Sequence, residues 1–206
     1  MGDTAGLRST SQEQSMTVNI LQQPGFLQFL AAIDTDLASR ARTQGCRFCG
    51  GALHSACYPR KPRGGAVVAT EATTRHSFCC DQCRRRTTPE SVRFLGRRVY
   101  PTFAMVLLSA MQSGVTDKLI NELRLSLGVA RRTLQRWRHW WCEIFVGTPF
   151  WTLGRGRFMP PVVHAALPNS LLERFSGMDA HSQLVRCLQF LAPLSKPGFF
   201  THDDGR

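Results

Sequence analysis

The segments Gly45–Gly51 (GCRFCGG) and Phe78–Arg86 (FCCDQCRRR) decide the fold of this chain. Each contains a pair of cysteines separated by two residues, and 30 residues lie between Cys49 and Cys80. This spacing lets one tight turn direct two sulfurs toward a single tetrahedral ion, as in structural zinc sites. The pairs therefore predict a zinc ribbon that holds one structural Zn²⁺ ion. Its predicted ligands are Cys46, Cys49, Cys80 and Cys83.

Three neighbouring residues leave the ligand set open. Cys79 is an alternate to Cys80, although it would place three residues, not two, before Cys83. His54 and Cys57 offer a further ligand pair or half-site, and they equally fit a polar loop residue and a small buried thiol. Disulfides are the other interpretation of paired cysteines. A basic chain without a secretory signal is expected in a reducing compartment, where such pairs are more often metal ligands.

Composition and charge indicate the class of partner. The chain has 206 residues, of which 43% are hydrophobic, enough for one ordinary domain or two small modules. The formal net charge is +12, and residues 45–145 contain 17 Lys and Arg against 6 Asp and Glu. A positive field concentrated beside a zinc module suits a polyanion, and nucleic acid is the leading partner.

The first 15 residues lack the apolar core that a signal peptide requires, and no apolar run is long enough to cross a bilayer. We therefore expect no membrane partner and a cytoplasmic location.

We predict a mainly α chain with a small β zinc ribbon. The expected organisation is a disordered tail at 1–16, an N-terminal helix at 17–44, the ribbon at 45–98, a helix-turn-helix at 99–146, and a connector with a helical hairpin at 147–206. Pro24 would lie in the first turn of the first helix. The predicted strands are GAVVAT (65–70), RHSFCC (75–80) and SVRFLG (91–96). The arms of the hairpin are NSLLERF (169–175) and DAHSQLVRCLQFLAPL (179–194), the second capped by Asp179.

Helical periodicity begins after Pro101. The predicted helices are FAMVLLSAMQSG (103–114), TDKLINELRLSLG (116–128) and ARRTLQRWRHWWCEIF (130–145). A short glycine-bearing turn before a basic helix is typical of a helix-turn-helix. In the third helix, Leu134, Trp137 and Trp141 form one apolar stripe. The other faces supply the predicted contacts to DNA bases, which are Arg131, Arg132, Gln135, Arg136 and His139. An ordinary amphipathic helix with a solvated face is the alternative.

Basic residues of the ribbon are the expected contacts to DNA phosphates. They are Arg84, Arg85, Arg86, Arg97, Arg98, Arg60, Lys61 and Arg63. The last three lie in PRKPRGG, which resembles short basic segments that bind an AT-rich minor groove and equally fits a solvated hairpin tip.

Residues 45–145 resemble the N-terminal DNA-binding region of bacterial insertion-sequence transposases that begin with a zinc ribbon. The likeness is carried by GCRFCGG, FCCDQCRRRTTPESVRF, the apolar helix after Pro101 and LSLGVARRTLQRWRHWW, in that order. It implies that the four cysteines bind zinc and that Arg131, Arg132 and Gln135 are the first candidates for base contacts. It also implies a location in the bacterial cytoplasm, associated with the nucleoid.

The chain departs from those transposases after Phe145, where they continue into a catalytic domain with three metal-binding carboxylates. Only 61 residues follow here, and their carboxylates fit a helix face, a cap and a tail: Glu173, Asp179, Asp203 and Asp204. We therefore expect no enzyme. We expect a sequence-specific DNA-binding protein of a mobile element, accessory or truncated, with a separate transposase subunit or self-association through the hairpin. The alternatives are a helix-turn-helix transcriptional regulator and a zinc-ribbon RNA-binding protein.

Overall fold

The computed structural model of the protein describes residues 24–60, 73–95, 101–111, 129–175 and 179–196. The described chain is mainly helical and includes small antiparallel sheets. It divides into two compact units. The ribbon unit comprises the described residues of 24–102 together with 188–196. The helical unit comprises 103–111, 129–175 and 179–187.

Helix α1, Pro24–Gln44, opens the ribbon unit. Proline suits the first position because its missing N–H would have no partner in the first turn. The helix ends at Gly45, whose φ of +74° is a left-handed conformation that glycine adopts without cost. The Gly45 N–H donates to the Arg42 carbonyl at 3.1 Å and so closes the last turn. The sequence predicted this helix and its opening proline; the predicted residues 17–23 lie outside the described part.

A three-stranded antiparallel sheet of order β1–β4–β5 forms the centre of the ribbon. Its strands are Leu53–Ser55 (β1), Phe78–Cys80 (β4) and Arg86–Thr87 (β5). A second pair joins β2, Tyr58–Pro59, to β3, Thr74–Arg75. In the larger sheet Leu53 lies opposite Cys80, and Cys79 lies between His54 and Arg86. Because successive side chains point to opposite faces, Cys80 faces the buried side and Cys79 the other.

The structure agrees only in part with the predicted strands. RHSFCC contains the last residue of β3 and all of β4, and the expected strand residue His76 lies in the link between the two strands. GAVVAT lies outside the described residues. SVRFLG was predicted as a strand, but its described part makes one isolated bridge, Phe94 to Pro101. The reason is that the Val92 N–H donates to a side chain, that of Asp34, at 2.7 Å.

That aspartate is the centre of a buried polar network. Asp34 lies on the inner face of α1, and its carboxylate accepts hydrogen bonds from the Ser91 hydroxyl at 2.6 Å and from Arg93 Nε at 2.7 Å. The side chains of Asp34 and Arg93 are 0% and 3% exposed. Arg93 Nη2 also donates to the Thr74 carbonyl at 2.8 Å. The network therefore joins α1, β3 and the segment after β5.

A second buried arginine extends this network. Arg75 Nη2 donates to the Pro89 carbonyl at 2.6 Å and lies 3.5 Å from Ser195 Oγ. Ser195 Oγ in turn accepts from the Ser91 N–H at 2.8 Å. Burial lowers the pKa of the Arg75 guanidinium, and the Asp34 carboxylate opposes that shift.

The helical unit begins with α2, which spans Thr102–Met111 and matches the apolar helix predicted after Pro101. The predicted helix at 116–128 lies outside the described residues. The third predicted helix is present as α3, Arg131–His139, followed by a π-helical segment, Trp140–Phe145. The remaining helices are α4 (Pro149–Gly154), α5 (Asn169–Leu172) and α6 (Ala180–Leu191), and 3₁₀ turns lie at Arg155–Arg157 and His164–Ala166. The last residues of α6, from Leu188 on, and the 3₁₀ turn Ala192–Ser195 belong to the ribbon unit.

Side chains cap the N-termini of two helices, α6 and α4. Asp179 accepts from the Ser182 N–H at 2.7 Å, as predicted for the cap of α6, and this bond lowers the pKa of the Asp179 carboxyl. Thr148 caps α4 in the same way through the Trp151 N–H at 3.2 Å. The first predicted hairpin arm is shorter than expected, because NSLLERF is helical only through Leu172.

An aromatic cluster fills the helical unit. In a π-helix, residues five apart are neighbours, so Trp140 lies beside Phe145 with ring centroids 5.5 Å apart. Trp141 meets the same phenyl ring at 5.1 Å, and Trp151 meets it at 5.0 Å. Trp140, which lay off the predicted apolar stripe, is therefore a core residue.

Within the described residues, no helix combines the length and apolarity that a membrane crossing requires.

The buried carboxylate gives a stability prediction. Asp34→Ala leaves the buried Arg93 guanidinium without its carboxylate, so we expect the free energy of unfolding to fall by roughly 3–5 kcal/mol. Asp36→Ala, at an exposed position of the same helix, is the matched control and should change it by less than about 0.5 kcal/mol. Urea unfolding of the metal-loaded protein measures both. Equal, small losses would show that the network contributes little to stability.

Candidate metal centre and basic surface

The first cysteine pair lies on a tight turn directly after α1, here called the first knuckle (residues 45–51). The Cys46 N–H donates to the Gly51 carbonyl at 2.9 Å, and the Gly50 N–H donates to the Cys46 carbonyl at 2.8 Å. Gly50 has a φ of +74°, the left-handed conformation that lets the chain turn back toward β1. The glycines of GCRFCGG therefore shape the turn that directs both sulfurs inward.

The second knuckle, residues 80–85, repeats this geometry. The Cys80 N–H donates to the Arg85 carbonyl at 3.1 Å, five residues ahead, as Cys46 does to Gly51. Arg84 follows Cys83 as Gly50 follows Cys49, and it has a φ of +58°. A left-handed arginine is unusual because its Cβ crowds the backbone. Arg84 thus occupies a position at which the first knuckle has glycine.

The knuckles bring four thiols together, and all four sulfurs lie within 4.8 Å of one another. The Cys46–Cys83 and Cys49–Cys80 sulfur pairs are 3.6 and 3.4 Å apart. A disulfide requires about 2.0 Å, and all eight cysteines are free. Four sulfurs at about 2.3 Å from a tetrahedral ion would lie about 3.8 Å apart. The cluster could therefore hold a metal ion, and its donor set is consistent with zinc.

Strand phase distinguishes Cys80 from Cys79. Cys80 is buried and its sulfur lies within the four-sulfur cluster, whereas Cys79 points to the opposite face of β4. The Cys79 thiol donates instead to the Arg84 carbonyl, with a sulfur–oxygen distance of 3.5 Å. The structure therefore places the alternate residue outside the cluster.

Close packing around the sulfurs explains why position 51 is a glycine. A Cβ at this position would lie 2.9 Å from Asp81 Oδ1 and 3.0 Å from Cys80 Sγ. The cluster also joins the ribbon core, in which Cys46 and Cys80 pack with Ala38 of α1. A metal ion at this position would hold the sheet and the helix together.

Backbone dipoles prepare one thiol for metal binding. The N–H of Phe48 donates to the Cys46 sulfur and, with that of Cys49, lowers the pKa of the thiol to about 6 against the effect of burial. At Cys80 the Cys83 N–H acts in the same direction, but burial and the Cys49 thiol raise the pKa overall. Since the thiolate is the form that binds metal, the lowered pKa of Cys46 favours metal binding at this sulfur.

The further ligand candidates lie apart from this cluster. His54 is exposed, with its Nε2 3.9 Å from Asp81 Oδ2. Cys57 is exposed, not buried as the alternative interpretation expected, and its sulfur lies 3.8 Å from His76 Nδ1. Burial lowers the pKa of His76.

The predicted base contacts share the exposed surface of α3. Its apolar side buries Leu134 and Trp137, and Trp141 follows in the π-helical segment. The five candidates are all exposed: Arg131, Arg132, Gln135, Arg136 and His139. Arg136 Nη2 also contacts the Thr133 hydroxyl at 3.3 Å.

The structure describes four of the eight predicted phosphate contacts. Arg84, Arg85 and Arg86 are exposed around the second knuckle. The Arg60 guanidinium lies over the Phe94 ring, 5.7 Å from its centroid. Four candidates lie outside the described residues: Lys61, Arg63, Arg97 and Arg98.

Sequence reasoning missed basic residues beside these candidates. Arg47 and Phe48 lie between the cysteines of the first knuckle, and Arg40 lies on α1. The signal was present as an arginine and an aromatic residue inside a Cys-x-x-Cys turn, where side chains project outward.

Comparisons with protein-family models, curated proteins and solved structures found no match to this chain.

The two adjacent cysteines give a prediction about metal binding. Cys80→Ser removes a sulfur from the cluster, so we expect loss of stoichiometric zinc after purification. Cys79→Ser, on the opposite face of the same strand, should keep about one zinc ion per chain. Elemental analysis by mass spectrometry measures both variants. Retention of zinc by Cys80→Ser together with its loss from Cys79→Ser would contradict the assignment.

Proposed function

We propose that this chain is a non-catalytic, sequence-specific double-stranded DNA-binding protein of a mobile genetic element, related to transposases. The observation that carries the proposal is the exposed face of α3. Four arginines, a glutamine and a histidine lie in solvent on one short helix whose opposite side is buried. Arginine and glutamine are the side chains best suited to bidentate contacts with guanine and adenine in the major groove.

Zinc has a structural role in this proposal. Four thiolates fill a tetrahedral coordination shell and leave no open position for a substrate or a reactive water. The ion would contribute folding energy to the ribbon, which then presents Arg84, Arg85 and Arg86 to the DNA backbone.

The two basic surfaces have different tasks. Contacts to phosphates supply affinity and register and contain no direct sequence information, whereas contacts to base edges supply specificity. We assign the first task to the second knuckle and the second to α3. The transposase likeness of residues 45–145 supports placing the protein with a mobile element, acting with a separate transposase subunit or through self-association.

Selection from a random duplex pool tests this function. Zinc-loaded protein at about 0.15 M salt, where nonspecific binding is weakened, should enrich a sequence motif. An asymmetric motif supports binding to the ends of an element, and a palindrome with half-sites about one helical turn apart supports the regulator instead. Absence of enrichment, or tighter binding to RNA, would contradict the proposal.

Paired arginine variants test the division of tasks. Arg132→Ala should reduce discrimination at the base it reads by roughly 1–3 kcal/mol. Arg85→Ala should weaken binding to all duplexes alike, because a phosphate contact does not depend on sequence. Titration of the selected site and its single-base variants measures both. Equal losses on every duplex for both variants would contradict the division.

A further inference from the structure

A basic groove of about 630 Å³ lies within the ribbon unit. Its walls are the C-terminal half of α1, the first knuckle, β5 with the segment that follows it, and Lys196. Four cationic side chains line it: Arg40, Arg47, Arg86 and Lys196. The single carboxylate among the lining residues is Glu90, which pairs with Lys196 at 2.8 Å. The groove therefore presents a strong excess of positive charge.

An exposed aromatic ring beside the groove arranges two more contacts. Phe48 is 45% exposed, although large apolar side chains are usually buried. The guanidinium of Arg47 lies 4.7 Å from its ring centroid, and that of Arg85 lies 4.6 Å from it. These distances are within the range of cation–π attraction. One ring thus holds an arginine from each knuckle.

This arrangement has a cost in the absence of an anion. Two guanidinium groups at one ring repel each other, and water and salt reduce the repulsion without removing it. Negative charge bound near these groups would offset the repulsion. Because the ring already restricts the arginine side chains, less conformational entropy is lost when the anion binds.

We propose that the groove and the Phe48 platform form one seat for the phosphates of a DNA backbone. Arg40, Arg47, Arg85, Arg86 and Lys196 contact the phosphates, and Phe48 is a positioning residue that aligns two of the guanidiniums. Guanidinium groups match the geometry of phosphate oxygens, and several cations along one groove suit a polyanion with successive phosphates. The choice of duplex DNA rests on the proposed function; the phosphate chemistry rests on the groove itself.

Salt-dependent binding to a random-sequence duplex tests the seat. Each lost phosphate contact should reduce the slope of log affinity against log salt by about 0.9. We expect Arg40→Ala and Arg47→Ala to lower both the slope and the affinity. Arg42→Ala is the matched control, because Arg42 is exposed on the same helix and does not line the groove. Equal effects of all three variants would overturn the seat, since net charge alone would then explain them.

Substitutions of Phe48 test the positioning role. Phe48→Leu keeps an apolar side chain but removes the ring that attracts the guanidiniums, so duplex affinity should fall about as far as for Arg47→Ala. Phe48→Trp supplies a ring that attracts cations more strongly, so duplex affinity should stay at least as high as in the wild type. Unchanged zinc content and urea midpoint establish that each variant is folded. Wild-type affinity in Phe48→Leu would overturn the role of the ring, and Arg40→Ala still tests the groove.

The outcomes separate this inference from the proposed function. If the groove variants weaken random-duplex binding while the random pool yields no motif, the seat stands and sequence-specific recognition fails. If a motif is enriched and the groove variants behave like Arg42→Ala, recognition by α3 stands and the seat fails. If the groove variants lose affinity for an RNA hairpin but keep wild-type affinity for duplex DNA, the seat for DNA phosphates would also be overturned.

Discussion

Four sulfurs from two distant turns must meet at one point, and the ribbon unit is built around this constraint. The knuckles use the same backbone bond from the first cysteine to the residue five positions ahead, and each has a left-handed residue after its second cysteine. Gly45 and Gly51 give the space and the turn that the first knuckle needs. Because Cys46 and Cys80 also belong to the apolar core, metal binding and core packing would stabilise the same arrangement.

The spacing of the cysteines was sufficient to predict the cluster, but the choice between Cys79 and Cys80 required the phase of β4. Neighbouring residues on a strand point to opposite faces, and nothing in the letters FCCDQC states which face is buried. The structure determines the phase through pairing of Cys80 with Leu53. Similarly, the period of α3 predicted its buried and exposed faces, whereas Trp140 became a core residue because the helix continues as a π-helix.

Charge composition predicted which arginines are exposed less reliably than cysteine spacing predicted which sulfurs meet. Arg75 and Arg93 belong to the basic excess of residues 45–145, yet both are buried and bonded within the ribbon unit. Their partners include Asp34, on a helix that precedes the first knuckle. Such a long-range pair leaves no local pattern in the sequence. It also explains why SVRFLG, which reads as a strand, donates its backbone to a side chain. Within the described part of residues 45–145, the exposed cations lie on or beside the knuckles and on α3.

The account depends most directly on a metal ion that is bound by sulfur alone. X-ray absorption at the zinc edge of the zinc-loaded protein reports the number and type of atoms around the ion. The account predicts four sulfur atoms at about 2.3 Å and no nitrogen or oxygen neighbour. A mixed shell with histidine nitrogen at about 2.0 Å, or with water oxygen, would contradict it, because an ion so bound would lie outside the four-cysteine cluster or would retain an open position.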